Sequence, residues 1–184
     1  GQEGPAYDVE AARALVEEVK ADTPDWDGTL RMLIGDGPEN IEAGVVAKAL
    51  LDAAGFTVVI DNAPVSQVTA RQFTGDFEIV IGGLATSDAD PAAAFASGML
   101  PTGATNITGI DDPELTAAIN DLKAAADLDA QKEALNRLQE VFNEVQPFTV
   151  MANAEQYVAI SDTVGGLTPT LSSTVLYDGA FVTE

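Results

Sequence analysis

The chain contains no cysteine and no histidine. Disulfides, Cys/His zinc centres, Ser-His-Asp triads and Cys-His dyads are therefore excluded within it. Basic residues are scarce: 8 lysines and arginines stand against 30 aspartates and glutamates, for a formal charge of −22. That balance repels phosphate backbones and anionic lipid surfaces, so neither nucleic acid nor a membrane surface is an expected partner. The acidity reads first as solubility, including solubility in a high-salt setting, and only second as a match to a cationic partner. No apolar run approaches the ~20 residues that a membrane-spanning helix requires. The N-terminal GQEGPAYDVEAARALVEE has neither the basic nor the apolar region of a signal peptide. It points to a cytosolic protein or to a piece of something longer.

What is present is a globular pattern: 184 residues, of which 46% are hydrophobic, enough for one domain with a real core or a large lobe of a bigger protein. Asp8 is placed to cap a helix over 8–20, with Ala12, Leu15, Val16 and Val19 on one face. The run TLRMLI predicts a strand over 29–34, and Gly35-Asp36-Gly37-Pro38 turns it into a helix over 38–54. Ile41, Val45, Ala49 and Ala53, supported by Val46 and Leu50, are the expected buried side of that helix, and Gly55 its terminator. A strand over 56–61 completes a β-α-β unit, right-handed if the strands are parallel. Pro64 to Phe73 is a short helix or turn. Further on, Asp112-Pro113-Glu114 starts a helix over 112–126 with Leu115, Ile119 and Leu122 as its stripe. A helix over 129–146 presents Leu135, Leu138, Val141, Phe142 and Val145, and Pro147 stops it. The remainder has no helical period. The expected class is α/β, a mixed sheet flanked by these helices, with a β-type C-terminal tail.

The stretch with functional promise is DFEIVIGGLATSDADP, from Asp76 to Pro91. Its apolar run predicts a strand over 77–82, and Gly82-Gly83 lets the chain turn without a Cβ penalty. A loop of small polar residues with two carboxylates, Asp88 and Asp90, precedes a helix begun by Pro91. Ligands in open α/β sheets bind beyond the carboxyl ends of strands, which places the business end at this loop. Asp88 and Asp90 form the most tempting acid/base pair, but Asp90 is better explained as a helix cap, leaving Asp88 to meet a ligand. An EF-hand fails because it needs a glycine shortly after Asp88-Ala89-Asp90 and a final glutamate, and Pro91 and Met99 occupy that neighbourhood instead. Gly35-Asp36-Gly37 lacks the rest of a phosphate loop. Asp61 has the place of a receiver-domain phospho-acceptor, although an ordinary turn aspartate is commoner. Asn106-Ile107-Thr108 matches a glycosylation sequon, and Asn106 reads more simply as a loop-ordering side chain. Trp26 is expected to pack partly at the surface.

The ordered set YDVEAARALVEE, GFTVVI after a β-α-β unit, GDFEIVIGGLATSDADP, TNITGIDDPELTAAI and LDAQKEALNRLQEVFNEVQPFTVM resembles the C-terminal lobe of family 5 extracellular solute-binding proteins. These are the peptide-binding class that delivers cargo to ABC importers. The resemblance covers about residues 7 to 160 and lies in the order of segments rather than in any one motif. Val9 stands where the family usually has proline. Leu84 and Ser87 stand where many peptide-binding members carry a tryptophan and an aspartate that pairs with a peptide amino terminus. Serine has no charge for that task, and Asp88, one residue on, is the expected substitute.

The resemblance implies one lobe of a periplasmic-binding-protein-like fold (type II, cluster C), with residues 1–160 as the lobe. Residues 161–184 are then a tail that would cross back to an N-terminal lobe of the full-length protein. It implies no catalysis and no cofactor. The ligand-binding residues it points to are Leu84, Ala85, Thr86, Ser87 and Asp88, facing a cleft for peptides or similar small solutes. Implied partners are the cargo, the N-terminal lobe and the membrane subunits of an importer, with a homodimer through the tail as a further option. The implied location is extracellular or periplasmic, with a lipoprotein anchor on the full-length protein. Two other classes stay open on the residues alone: a carboxylate-based hydrolase using Asp88 with a second acid, and a receiver-like or interaction module. The tail is expected to be disordered, to fold back on its own lobe or to pair with a second copy, with folding back or pairing favoured because its backbone groups need partners.

Overall fold

The computed structural model describes residues 4, 6–84, 90–152, 158–170 and 174–183. They fall into two compact bodies that divide between Gly83 and Leu84. In the first body, α1 (Val9–Asp22) starts where Asp8 accepts a hydrogen bond from the Ala11 amide at 2.9 Å. The strand β1 (Thr29–Gly35) follows, then α2 (Pro38–Ala53), β2 (Thr57–Ala63), α3 (Val65–Thr74) and the short β3 (Ile79–Val80). The sheet order is β2-β1-β3, and both pairings are parallel.

Its central strand is buried on both faces, as parallel sheets require. Met32 and Ile34 pack with Val58 against Ala47 and Leu51 of α2. Leu33, which points the other way, packs with Ala63 and with Val68 of α3. Helices therefore cover opposite faces, so the apolar run 32–34 is continuous rather than alternating.

Two expectations change here. The predicted strand over 77–82 forms ladder pairs only at Ile79 and Val80. Phe77 packs instead against the Leu33 cluster, and the Ile81 amide adds one further bond to the Leu33 carbonyl. The buried side of α2 is also not the one its larger side chains suggested. Gly44, Ala47 and Leu51 face the sheet, while Ile41, Val45, Val46 and Leu50 lie outward. The reason is close approach: a Cβ on Gly44 would stand 2.9 Å from Ile34 Cδ1, so small residues bring this helix down onto the strand. On α1, likewise, Val16 is buried but Leu15 and Val19 are exposed.

The second body is helical at its core. It comprises α4 (Pro91–Met99), α5 (Pro113–Ala124) and α6 (Leu128–Val145), followed by the strand pieces β4 (Val164–Gly165), β5 (Thr168–Pro169), β6 (Val175–Leu176) and β7 (Phe181–Val182). Asp90, Asp112 and Asp127 each cap a helix through the side chain, and Pro91 and Pro113 sit in the first turn. Met99, Leu115, Ile119, Leu122, Leu138 and Val141 form one buried cluster, with Leu135 and Phe142 packed at its edge. Phe142 meets Phe148 edge-on at 5.0 Å. The stripes on α5 and α6 are thus buried, as the sequence predicts. They are buried against each other and α4 in one cluster.

Among the described residues, the tail pairs with itself. Antiparallel ladders join β4 to β7 and β5 to β6, and the Thr183 amide donates to the Thr163 carbonyl at 2.8 Å. These ladders join parts of the tail to one another, an arrangement distinct from the expected folding back on the lobe.

Candidate functional site

The order β2-β1-β3 creates a topological switch. From β1 the chain passes through α2 to one side, and from β2 it passes through α3 to the strand on the other side. Strands that part in this way leave a crevice beyond their carboxyl ends, between β1 and β3. Two glycine-rich exits meet that crevice in the first body. One is Gly35-Asp36-Gly37, which leads into α2 with no side-chain cap on its first turn. The other is Gly82-Gly83, the start of the loop singled out in the sequence.

Leu84 follows directly. It is exposed and belongs to the second body, where its Cδ1 lies 3.1 Å from the position a Cβ would take on Gly98. It is therefore partly engaged in packing on α4. Ala85, Thr86, Ser87 and Asp88 lie outside the described residues. Asp90 caps α4 by accepting from the Ala92 amide at 3.2 Å, which is the plainer of its two expected roles.

The strongest charge cluster lies away from this crevice. Arg71 on α3 donates to Asp61 on β2 at 2.6 Å and to Asp76, just before β3, at 2.8 Å. Arg31 on β1 closes the ring, 3.0 Å from Asp76 and 3.5 Å from Asp61. The hydrogen bond from Arg71 holds the Asp61 carboxyl below its ordinary range, aided by the charges of Arg71 and Arg31 and opposed by burial. Asp76 is held low mainly by its bond from Arg31, and Arg71 is raised mainly by Asp61. Carboxylates fixed in the ionised state, each on arginine donors, serve as clamps and not as proton donors. Asp61 is accordingly neither a free phospho-acceptor nor a turn aspartate: it is a ladder residue opposite Leu33, and it ties α3 to the sheet. Sequence reasoning passed over the ring because its members come together only through strand register.

Other candidates resolve as structural. Asn106 donates to the carbonyls of Leu100 and Ile110 and accepts from the Thr108 hydroxyl and the Gly109 amide. A sequon side chain so engaged orders its loop and has no amide hydrogen to spare for a glycan. Trp26 is partly buried, tilted against Phe56 at 6.0 Å, and donates to the Thr29 carbonyl. Among the described residues, no group of three or more acidic side chains is arranged to hold a metal ion. No helix among them is long and apolar enough to cross a membrane.

No family model matches the sequence, and no curated protein matches it. Solved structures do. The substrate-binding domain of an oligopeptide ABC transporter from Bacillus anthracis str. Ames superposes with a TM-score of 0.75. It is 21% identical, over 99% of this chain and 36% of that one. A dipeptide-binding protein from Pseudoalteromonas sp. SM9913, solved with Met-Leu, gives 0.79 at 19% identity, over 97% of this chain and 36% of that one. The pheromone receptor PrgZ, a structure described with its mode of peptide binding, gives 0.77 at 14% identity, over 97% and 35%. The fold is that of one lobe of a periplasmic-binding-protein-like molecule. It is the α/β lobe fold that the order of sequence segments predicts. The chain spans about 36% of the length of these solved proteins.

Proposed function

We propose that this chain is the C-terminal, cargo-facing part of a solute-binding protein serving an ABC importer, and that it performs no catalysis. The observation that carries the reading is the fit of nearly the whole chain to about a third of an oligopeptide ABC transporter's substrate-binding domain, a dipeptide-binding protein and a peptide-binding pheromone receptor. The switch-point crevice and the ring of ionised, clamped carboxylates support it: the first offers a ligand a seat, and the second offers no proton-transfer pair. In this reading residues 1–160 form the lobe and 161–184 lead back to an N-terminal lobe, which closes over the cargo. Closure buries the ligand and couples its affinity to the conformation the importer recognises. The full-length protein is exported and anchored as a lipoprotein. A dimer through the tail is disfavoured, because the described ladders pair within the tail itself.

The cargo-contacting residues are Leu84, Ala85, Thr86, Ser87 and Asp88, with Asp88 meeting a cationic or amino-terminated group. Calorimetry on the full-length protein tests this. Asp88→Asn is expected to weaken an amino-terminated peptide by about 1.5–3 kcal/mol, the value of a charge-assisted hydrogen bond, and to leave an N-acetylated one unchanged. Equal affinity of wild type and variant for the free-amine peptide would remove Asp88 from the site.

A further inference from the structure

The strand β2 is an edge of its sheet: in the order β2-β1-β3, no described strand lies on its other side. On the β1 side, the Thr57 amide donates to the Gly28 carbonyl at 2.8 Å. In a parallel ladder, alternate residues turn both backbone groups the same way, so Val58, Ile60 and Asn62 turn theirs outward. Outward groups of this kind are a template for another chain. The run Thr57-Val58-Val59-Ile60 strengthens the template, with four β-branched residues in succession and no charge or proline.

At Val58 the template is already filled. The Asp52 carboxylate of α2 accepts from the Val58 amide at 3.0 Å, and the Lys48 ammonium donates to the Val58 carbonyl at 2.6 Å. These are the two bonds that a further strand would make with that residue. The other carboxylate oxygen of Asp52 takes Lys48 at 2.8 Å, which closes the three groups on one another. The Asp52 carboxyl is held below its ordinary range, first by Lys48 and then by the Val58 amide. An ion pair between successive turns of a helix normally supports that helix alone. This pair reaches past the turn at 54–56 and ends on the strand. With Val58 occupied, an incoming strand has at most the outward groups of Ile60 and Asn62 to pair with.

We propose that Lys48 and Asp52 guard this edge, standing in for a neighbouring strand at Val58 and so keeping a second copy of the chain from extending the sheet at β2. A second copy is the occupant to exclude, because it brings the same uncharged 57–60 run. The formal charge of −22 opposes such pairing at long range, but salt screens it, whereas the guard acts at contact.

The test compares the 184-residue chain with its Lys48→Ala/Asp52→Ala variant, which loses one charge of each sign and so keeps the formal charge of −22. Alanine suits a helix, and far-ultraviolet circular dichroism checks that the variant is folded. Sedimentation velocity and amide hydrogen exchange are measured from about 20 µM to about 500 µM protein, in about 0.5 M sodium chloride to screen the net charge. Wild type is expected to keep one mass, and the variant to gain mass with concentration as dimers and larger species form. In the variant, the Val58, Ile60 and Asn62 amides should exchange at least about tenfold more slowly at the top concentration than at the bottom, with Val59 and Asp61 unchanged. Adding Asn62→Pro, which removes an outward N–H and is tolerated at an edge, should restore the wild-type mass. If the double variant is unfolded, Lys48→Ala alone takes its place, with the Val58 carbonyl freed, and the same gain in mass is expected. The proposal is overturned if the folded variant keeps the wild-type mass, or if wild type associates through β2 as readily. Association without slowed exchange at Val58, Ile60 and Asn62, or association that survives Asn62→Pro, would overturn it equally.

Discussion

Arg71 reaches from α3 to Asp61 on β2 at 2.6 Å, and the same guanidinium holds Asp76 at 2.8 Å, at the entry to β3. One side chain thus joins the far strand of the sheet, the helix that follows it and the segment leading into the strand that ends at the crevice. Asp61 and Asp76 are both held below their ordinary values, so their folded forms release protons more readily than the unfolded chain. The stability they contribute is complete above the unfolded carboxylate range, near pH 4, and is lost as pH falls through their lower folded values. Urea midpoints of wild type and Asp61→Asn should therefore differ at pH 7, and the difference should shrink as pH falls below about 4. A difference that persists undiminished at pH 3 would mean that the ring contributes by packing rather than by charge.

The formal charge of −22 acts against the compact state at low ionic strength. Raising sodium chloride from about 20 mM to about 500 mM shortens the Debye length severalfold. The urea midpoint should rise over that range. Chloride is the informative salt, because sulfate also strengthens apolar burial. A flat response would show that the acidic side chains are too dispersed to matter for folding.

Asn106 is a single side chain serving the carbonyls of Leu100 and Ile110 from one amide group. Replacing it with alanine strands both acceptors in a partly buried loop, at a cost of about 1–3 kcal/mol. Asn106→Asp removes the donors while keeping the acceptor, so it should be nearly as costly. Chemical denaturation measures both. Near-neutral behaviour of either variant would show that water replaces the amide freely.

Ile119 is wholly buried among Leu115, Leu122, Leu138 and Val141. Ile119→Ala should cost about 2–5 kcal/mol through lost burial and a residual cavity. Equilibrium unfolding followed by circular dichroism gives the value. A loss under about 1 kcal/mol would show that α4, α5 and α6 collapse around the gap.

The sequence spoke most clearly where a residue acts locally. Asp8, Asp90 and Asp112 cap helices through contacts within three positions, so type and spacing suffice to find them. The strand at Met32–Ile34 and the stripes on α5 and α6 were legible for a similar reason, because burial follows the period of the element. On α2 the rule failed. Apolar side chains occur all round that helix, so periodicity chose the larger ones, while the sheet chose Gly44 for close approach. The Arg31–Asp61–Arg71–Asp76 ring was illegible because it depends on register across strands and a helix distant in sequence. The loop after Gly82-Gly83 was legible as a place beyond a strand end, but Ala85, Thr86, Ser87 and Asp88 lie outside the described residues.

Native mass spectrometry, on the full-length protein and on these 184 residues side by side, tests the cargo-binding reading most directly. A cleft that must close from two sides should retain a small peptide or similar solute on the full-length protein, released intact on unfolding. The 184-residue chain alone should carry none, because a one-sided site cannot enclose its cargo. Tight retention of the same solute by the 184 residues alone, or release of a chemically altered solute from the full-length protein, would contradict it.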